Sequence, residues 1–414
     1  MKNQSKRLIG NALVGQSGGP TAAINATLSG VIRGVAEARE TVPTLYGMRY
    51  GIEGFLSGDV IDLSKYFDDE EALSLLEQTP AAALGSCRKK LPDPNKDPDF
   101  FRDLVKRFEE LNIRYFFYIG GNDSMDTVAK LTAYLESVSY EMRVIGVPKT
   151  IDNDLVGTDH TPGFGSAAKY IAVTVSEYLR DCAVYRVPAV TIIEIMGRDA
   201  GWLTASAALP MAIDGIGPDY IYLPERTFDR EAFLSDVREA LKKHPNVVIA
   251  ISEGIRFADG EYVGAGSQSG AKDVFGHKYL AGAGKVLESI VREEIGCKVR
   301  SAELSLSQRC AAHLASATDL DESVAIGRRA VSLAVDGISG HMVTVERTSS
   351  EPYALTIGSS AVGAIANQIR SVPSEFINER GNHVTEACIH YLLPLIEGER
   401  QIVYDRGIPK HFHF

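Results

Sequence analysis

Short apolar runs alternate with amphipathic stretches along most of the chain. Leu8–Gly15, Ile113–Ile119, Arg143–Val147, Ala189–Ile195 and Asn246–Ile251 are brief and rich in β-branched or aromatic residues, as strands buried on both faces must be. Thr21–Glu40, Phe100–Leu111, Met125–Leu135, Gly165–Asp181, Arg230–Lys243 and Gly282–Glu294 instead place apolar residues at helical spacing. The alternation predicts βαβ units and mainly parallel sheets, that is, a doubly wound α/β protein with two lobes. In such folds ligands sit beyond the carboxyl ends of the strands, where strand-to-helix turns converge. Two stretches break the pattern. L-P-D-P-N-K-D-P packs three prolines among acidic residues between Pro92 and Pro98 and promises the least order. Phe257–Phe275, rich in Gly, Ser and Asp, reads as a flexible surface loop.

Composition narrows the function. The 414 residues suggest two or three domains, and 45% hydrophobic with 23% charged residues is ordinary for a globular protein. Lys and Arg total 43 against 54 Asp and Glu, a formal charge of -11. Such a surface repels nucleic acid and anionic membranes, so neither is expected as a partner. Any anionic ligand needs a local pocket. Cys87, Cys182, Cys297, Cys310 and Cys388 are odd in number and far apart, which argues against a zinc site or disulfide framework and for a reducing cytoplasm. Met1–Arg7 is polar and basic, and the apolar stretch after it is broken by Gly10, Asn11, Gly15 and Gln16, so it reads as a strand and not a signal peptide. No apolar run reaches the roughly 18 residues of a membrane span.

Four strand-to-helix turns carry the candidate chemistry. G-Q-S-G-G-P-T, Gly15–Thr21, lets backbone N–H groups approach an anion at a helix N-terminus, or is simply a tight turn with a Ser cap. I-G-G-N-D-S-M-D-T, Ile119–Thr127, sets Asp123 and Asp126 in a first helical turn, where the dipole favours carboxylates. Capping explains one such Asp, not the density of Asn122, Asp123, Ser124 and Asp126. V-P-K-T-I-D-N-D, Val147–Asp154, brings one cation and two carboxylates together, with Asp152 and Asp154 on one side of an extended segment. Either one of them is a base with a raised pKa, or the pair holds a divalent metal, or the stretch is an Asx-rich loop. E-I-M-G-R-D-A-G-W, Glu194–Trp202, puts Arg198 where a strand gives way to a helix, a place suited to an anionic substrate.

Together G-G-N-D-S, P-K-T-I-D-N-D and M-G-R, with S-G-G-P-T-A-A-I-N and G-S-C-R in the same order, resemble the phosphofructokinases over most of the chain. That resemblance implies two Rossmann-like lobes with the active site in the cleft between them. Residues 1–163 plus 309–370 would form the donor lobe, and 164–308 plus 371–414 the sugar-phosphate lobe. ATP-dependent members read G-G-D-G-S and P-G-T-I-D-N-D. Here Asp123 replaces a glycine that leaves room for a nucleotide α-phosphate, and Lys149 replaces another. The carboxylate repels that phosphate, while the Lys neutralises the terminal phosphate of a shorter donor. Both changes match the pyrophosphate-dependent branch.

By the same resemblance, Asp152 is the general base toward the C1 hydroxyl of fructose 6-phosphate, with Asp154 its acidic neighbour and Thr150 a contact to the sugar or the transferred phosphoryl group. Gly19, Arg88 and Ser124 belong to the donor cradle, and Asp123 and Lys149 bind or gate pyrophosphate. Met196, Gly197, Arg198 and Glu253 meet the sugar, and Arg300 and Arg309 the 6-phosphate. Mg²⁺ would bridge pyrophosphate and Asp123. A homodimer or homotetramer is implied, with Arg300 reaching across to a neighbour.

The chain also departs from the family. Asn122 replaces an Asp, which leaves more of the metal contact to Asp123. Leu306 stands where relatives carry His or Tyr, so Lys410, His411 and His413 of the tail are expected to help bind the 6-phosphate. Arg186 or Tyr185 is expected to replace an Arg missing ahead of M-G-R. Two other readings remain: an ATP-dependent sugar-phosphate kinase that tolerates Asp123, and a non-catalytic regulatory subunit. A donor assay on the lone protein separates them.

Overall fold

The computed structural model describes residues 8–265 and 282–414, so Met1–Arg7 and the part of the Phe257–Phe275 loop beyond 265 lie outside the described residues. In chain order the strands that shape the site are β1 (Asn11–Gln16), β2 (Leu45–Met48), β3 (Val60–Asp62), β4 (Ile113–Gly120), β5 (Arg143–Pro148), β6 (Ala189–Ile195), β7 (Tyr220–Tyr222), β8 (Asn246–Ser252), β9 (Lys298–Glu303), β10 (His341–Ser350) and β11 (Tyr353–Ala361). One sheet runs β11-β10-β5-β4-β1-β2-β3, parallel except for its antiparallel edge strands β3 and β11. The other runs β7-β8-β6-β9 and is parallel throughout.

Helices cover both faces. On one face of the large sheet lie α1 (Ile24–Glu37) and, from late in the chain, α7 (Ala317–Val335). On the other lie α2 (Pro98–Glu110) and α3 (Asn122–Ser137). β4 shows why this face-by-face division arises. Its Tyr115, Phe117 and Ile119 join the core under α1 and α7, whereas Phe116 and Tyr118 join the core under α2 and α3. The small sheet repeats the arrangement: Ile193 and Ile195 pack under α4 (Phe164–Cys182), and Val190 and Ile192 under α5 (Arg230–Lys243) and α6 (Ala283–Glu294). Each fully buried Leu, Ile or Phe of these layers contributes about 1.5–3 kcal/mol of transfer free energy.

Several bounds differ from the sequence reading. α1 begins at Ile24, not Thr21, because Thr21 folds its hydroxyl back to accept from the Ala23 amide at 3.3 Å. α3 begins at Asn122, three residues early, so Asn122, Asp123 and Ser124 fill its first turn. Pro92–Pro98 has regular turn chemistry. The Asp93 carboxylate accepts from the Asn95 amide at 2.9 Å, and Asp97 caps α2 through the Phe100 amide at 3.1 Å, with Pro98 in the first turn. The described part of the Phe257 loop is a closed turn, with Phe257 N–H on the Glu261 carbonyl at 2.9 Å and Val263 N–H on that of Ile255 at 3.0 Å.

Candidate active site

The carboxyl ends of β1, β4, β5, β6 and β8 converge on a cleft of about 350 Å³. All four turns singled out above line it, together with Arg88 and Arg309. Its basic side is built around the glycine turn after β1. A methyl group added at Gly19 would lie 3.4 Å from Arg309 Nη1 and 3.8 Å from Arg88 Nη2. The Lys149 ammonium donates to the Gly19 carbonyl at 2.5 Å. Three cations from distant parts of the chain thus surround one bare backbone segment, where only glycine leaves room for an anion. Lys149 is 3% exposed. Burial, reinforced by Arg88 and Arg309, pushes it down to about 8 against the pull of Asp152 and Asp154. Arg309 is likewise lowered, by burial and then by Arg88. Ser124 is buried and donates to the Ser17 hydroxyl at 3.1 Å, which ties α3 to the glycine turn. Asp123, one residue earlier, lines the cleft and pairs with Lys90 at 3.1 Å. Asp126 turns aside to Lys130, 2.8 Å away.

The loop after β5, which opens on Lys149, also supplies the acidic groups. Thr150, Asp152 and Asp154 all line the cleft. The Asp152 amide donates to Thr150 Oγ1 at 3.1 Å, and that hydroxyl donates to Asp152 Oδ2 at 3.3 Å, so Thr150 holds the carboxylate in place. Burial raises Asp152 above the ordinary carboxylate range. Burial and the Asp152 charge raise Asp154 as well. Proton transfer at neutral pH needs a group shifted in this direction.

The small sheet supplies the third wall. Met196, Arg198 and Glu253 line the cleft, and Gly197 stands just behind them, its amide donating to Glu253 Oε1 at 3.3 Å. Burial pushes Glu253 up to about 7, opposed by that amide. The Met196 amide donates to Gln308 Oε1 at 3.2 Å. The sequence reading had passed over Gln308, although it lies in the same S-Q-R segment as Arg309. It had also missed Asp199, which lines the cleft and pairs with Arg256 at 2.7 Å.

Some expected residues lie elsewhere. Arg300 is exposed on β9, an edge strand, and does not line the cleft of its own chain. Lys410, His411 and His413 are exposed on a tail whose Phe412 and Phe414 pack edge-on against Tyr66, and they do not line the cleft of their own chain. Tyr185 and Arg186 are exposed beyond the end of α4 and fill no gap in the cleft. Leu306, 55% exposed, caps the short helix Ser307–Cys310. Asn122 has a structural task. Its Nδ2 donates to the Gln368 carbonyl at 2.8 Å and its Oδ1 accepts from the Asn367 amide at 2.6 Å, pinning a C-terminal segment to α3.

Among the described residues no three His, Cys, Asp or Glu side chains form a ready metal cage. The cleft offers the carboxylates of Asp123, Asp152 and Asp154. Such a donor set fits Mg²⁺, which is held by one or two carboxylates together with substrate phosphates. No described helix is long and apolar enough to cross a membrane.

The phosphofructokinase family signature matches residues 11–334. A pyrophosphate–fructose 6-phosphate 1-phosphotransferase from Halomonas elongata is 42% identical over 402 residues, covering 97% of this chain and 95% of its own length. A crystal structure of a pyrophosphate-dependent phosphofructokinase from Nitrosospira multiformis, 37% identical, superposes with a TM-score of 0.87 over 97% of this chain and 96% of that one. A sulfofructose kinase from Alkalicoccus urumqiensis is 32% identical, over 89% of this chain and 92% of its own.

Proposed function

The chain belongs to the phosphofructokinase family, and we propose that it transfers a phosphoryl group reversibly between pyrophosphate and the C1 hydroxyl of fructose 6-phosphate. Fructose 1,6-bisphosphate and phosphate are the products. The observation that carries this reading is the convergence of Lys149, Arg88 and Arg309 on the Gly19 turn, in the same cleft as Asp152 and Asp154. A short, highly charged donor fits there. Asp123 at the head of α3 repels the additional phosphate of a nucleotide.

In this reading Asp152 takes the proton as the C1 oxygen attacks the near phosphorus. The bridging P–O bond of pyrophosphate breaks, and the leaving phosphate departs against Lys149 and Arg88. Thr150 keeps the Asp152 carboxylate directed at the hydroxyl, and Ser124 holds the head of α3 on the glycine turn. Met196, Gly197, Arg198 and Glu253 hold the sugar in line, and Arg309, expected at the 6-phosphate, would serve the donor side, since its guanidinium meets the Gly19 turn. Little covalent work falls to the protein; alignment and charge neutralisation do most of it. Mg²⁺ held by Asp123 and pyrophosphate oxygens would supply further neutralisation of the diphosphate. The donor lobe is taken as residues 1–163 plus 309–370 and the sugar-phosphate lobe as 164–308 plus 371–414. The working form is taken as a homodimer or homotetramer, which would let exposed Arg300 serve the cleft of a second copy.

A side-by-side donor assay with Mg²⁺ and fructose 6-phosphate tests the reading. Pyrophosphate should be consumed and ATP ignored; brisk ATP use without pyrophosphate use refutes it. Asp152→Asn should lower kcat by about 10²–10⁴ while thermal melting stays near wild type. Retained turnover would remove Asp152 as the base.

A further inference from the structure

Behind the catalytic loop, away from the cleft, lies a buried ionic cluster that the transfer chemistry does not use. His160 is 3% exposed. Its Nδ1 is 2.8 Å from Asp159 Oδ2, and its Nε2 is 2.6 Å from Glu322 Oε2 on α7. Arg347 on β10 reaches the same Asp159 oxygen through Nη2 at 3.0 Å and Nε at 3.2 Å. Tyr353 on β11 donates to Glu322 Oε1 at 2.8 Å.

From this cluster, contacts run to the loop itself. Arg347 Nη1 donates to the carbonyl of Tyr391, on α8 (Glu386–Leu392), at 2.9 Å. The Tyr391 hydroxyl donates to the Asp159 carbonyl at 2.7 Å and accepts from Asn153 Nδ2 at 3.3 Å. Arg370 adds its amide to the Asp154 carbonyl at 2.8 Å and Nη1 to the Asn153 carbonyl at 3.3 Å. Asn153 is fully buried with φ at 54°, a left-handed backbone. Its two chain neighbours are the carboxylates of the cleft.

We propose that this cluster positions the catalytic loop: His160, held as a cation between Asp159 and Glu322, fixes the direction of Asp152 and Asp154 through Tyr391 and Asn153. The charge count supports it. The carboxylates of Asp159 and Glu322, 18% and 13% exposed, flank the ring on both sides while Arg347 pairs with Asp159 alone; a protonated His160 donates to both, whereas a neutral ring, with one N–H, would turn a bare nitrogen toward one of them. The remaining titratable groups against it are Tyr353, Tyr391 and, one turn earlier on α7, Asp319, which accepts from the Gly163 and Ser166 amides. Burial lowers His160, but the hydrogen bonds to Asp159 and Glu322 outweigh it and carry the ring up to about 9. The folded value exceeds the ordinary 6.5, so the brace is complete below about pH 6.5 and is lost as pH rises through about 9. His160 touches no reacting atom and is therefore a positioning residue.

The test builds on the phosphotransferase reading, so the wild-type protein is assayed first, and its failure to turn over would count against that reading alone. Amide hydrogen exchange over residues 150–163 judges the brace without relying on turnover. At pH 7, His160→Gln should lower kcat about ten- to a hundredfold, leave both KM values within about threefold, and speed exchange in this segment but not in β4 or β6. Glu322→Gln should keep most activity at pH 7 and move the alkaline loosening of the segment down by about one pH unit. The separate alkaline fall from Lys149 should stay in place, since Glu322 does not act on it. Unchanged exchange over 150–163 in both variants, or a loss confined to KM, overturns the proposal. If His160→Gln does not fold, Glu322→Gln decides alone.

Discussion

Lys149 sits almost wholly buried with its ammonium on the Gly19 carbonyl, so its charge is stored where a donor phosphate would arrive. With its proton held only up to about pH 8, kcat/KM for pyrophosphate should fall as pH rises through 8, whereas kcat should fall less, because bound donor restores the charge. An initial-rate pH series checks this. Lys149→Met should lower kcat/KM for pyrophosphate by about 10²–10³ at pH 7. Asp123→Gly combined with Lys149→Gly should raise ATP use relative to pyrophosphate; a parallel loss with both donors would remove their gating role. That Asp123, Lys149, Asp152, Asp154 and Arg198 share one cleft was legible in the sequence because charged side chains crowd consecutive positions of strand-to-helix turns. Arg370, Tyr391 and His160 were not. His160 meets Glu322 on α7, and Arg370 and Tyr391 meet the loop at Asn153, each more than 150 residues away, and a buried polar pair leaves no local periodicity.

Helices α1 and α7 meet backbone to backbone. A Cβ on Gly30 would lie 2.1 Å from the Val324 carbonyl oxygen, and one on Gly327 would lie 2.3 Å from that of Thr27. Gly30→Ala must push the helices apart and should destabilise by about 1–3 kcal/mol, seen as a lowered Tm. The same packing explains why α7 escaped the sequence reading. Its buried face sets Ser323, Gly327, Ala330 and Ala334 among Leu320, Ile326, Val331 and Leu333, so small residues flatten the apolar period. β9 was hidden for a different reason: K-V-R-S-A-E is an exposed edge with no apolar run. Strands buried on both faces, such as β4 and β6, were plain from the same rule that conceals edges.

The C-terminal tail ties the two halves together. Lys169 on α4 donates to the Gly398 carbonyl at 2.5 Å. Farther on, Gln78 Nε2 donates to the Val403 and Lys410 carbonyls at 3.1 and 2.7 Å, and the Phe412 amide donates to Thr79 Oγ1 at 2.7 Å. Thr79 begins the segment that ends at Arg88. Removing residues 400–414 should therefore lower Tm and raise KM for pyrophosphate more than KM for fructose 6-phosphate. An equal rise in both would mean that the tail stabilises without shaping the donor side. The net charge of -11 belongs to a molecule that nonetheless gathers Arg88, Lys149 and Arg309 in one cleft.

β10 pairs with β5, and most of the chain between them forms the other sheet and its helices. On a ribosome adding about 5–20 residues per second, the roughly 190 intervening residues take about 10–40 s to emerge. Throughout that interval β5, which leads straight into Lys149 and Asp152, is an uncovered edge, open to any other strand it meets. The nascent protein thus holds its phosphate-binding motifs early and becomes competent late, and its vulnerable period is set by translation speed. Ribosome-bound chains halted near residue 336 should capture chaperones and be cut readily by protease, whereas chains released whole should do neither.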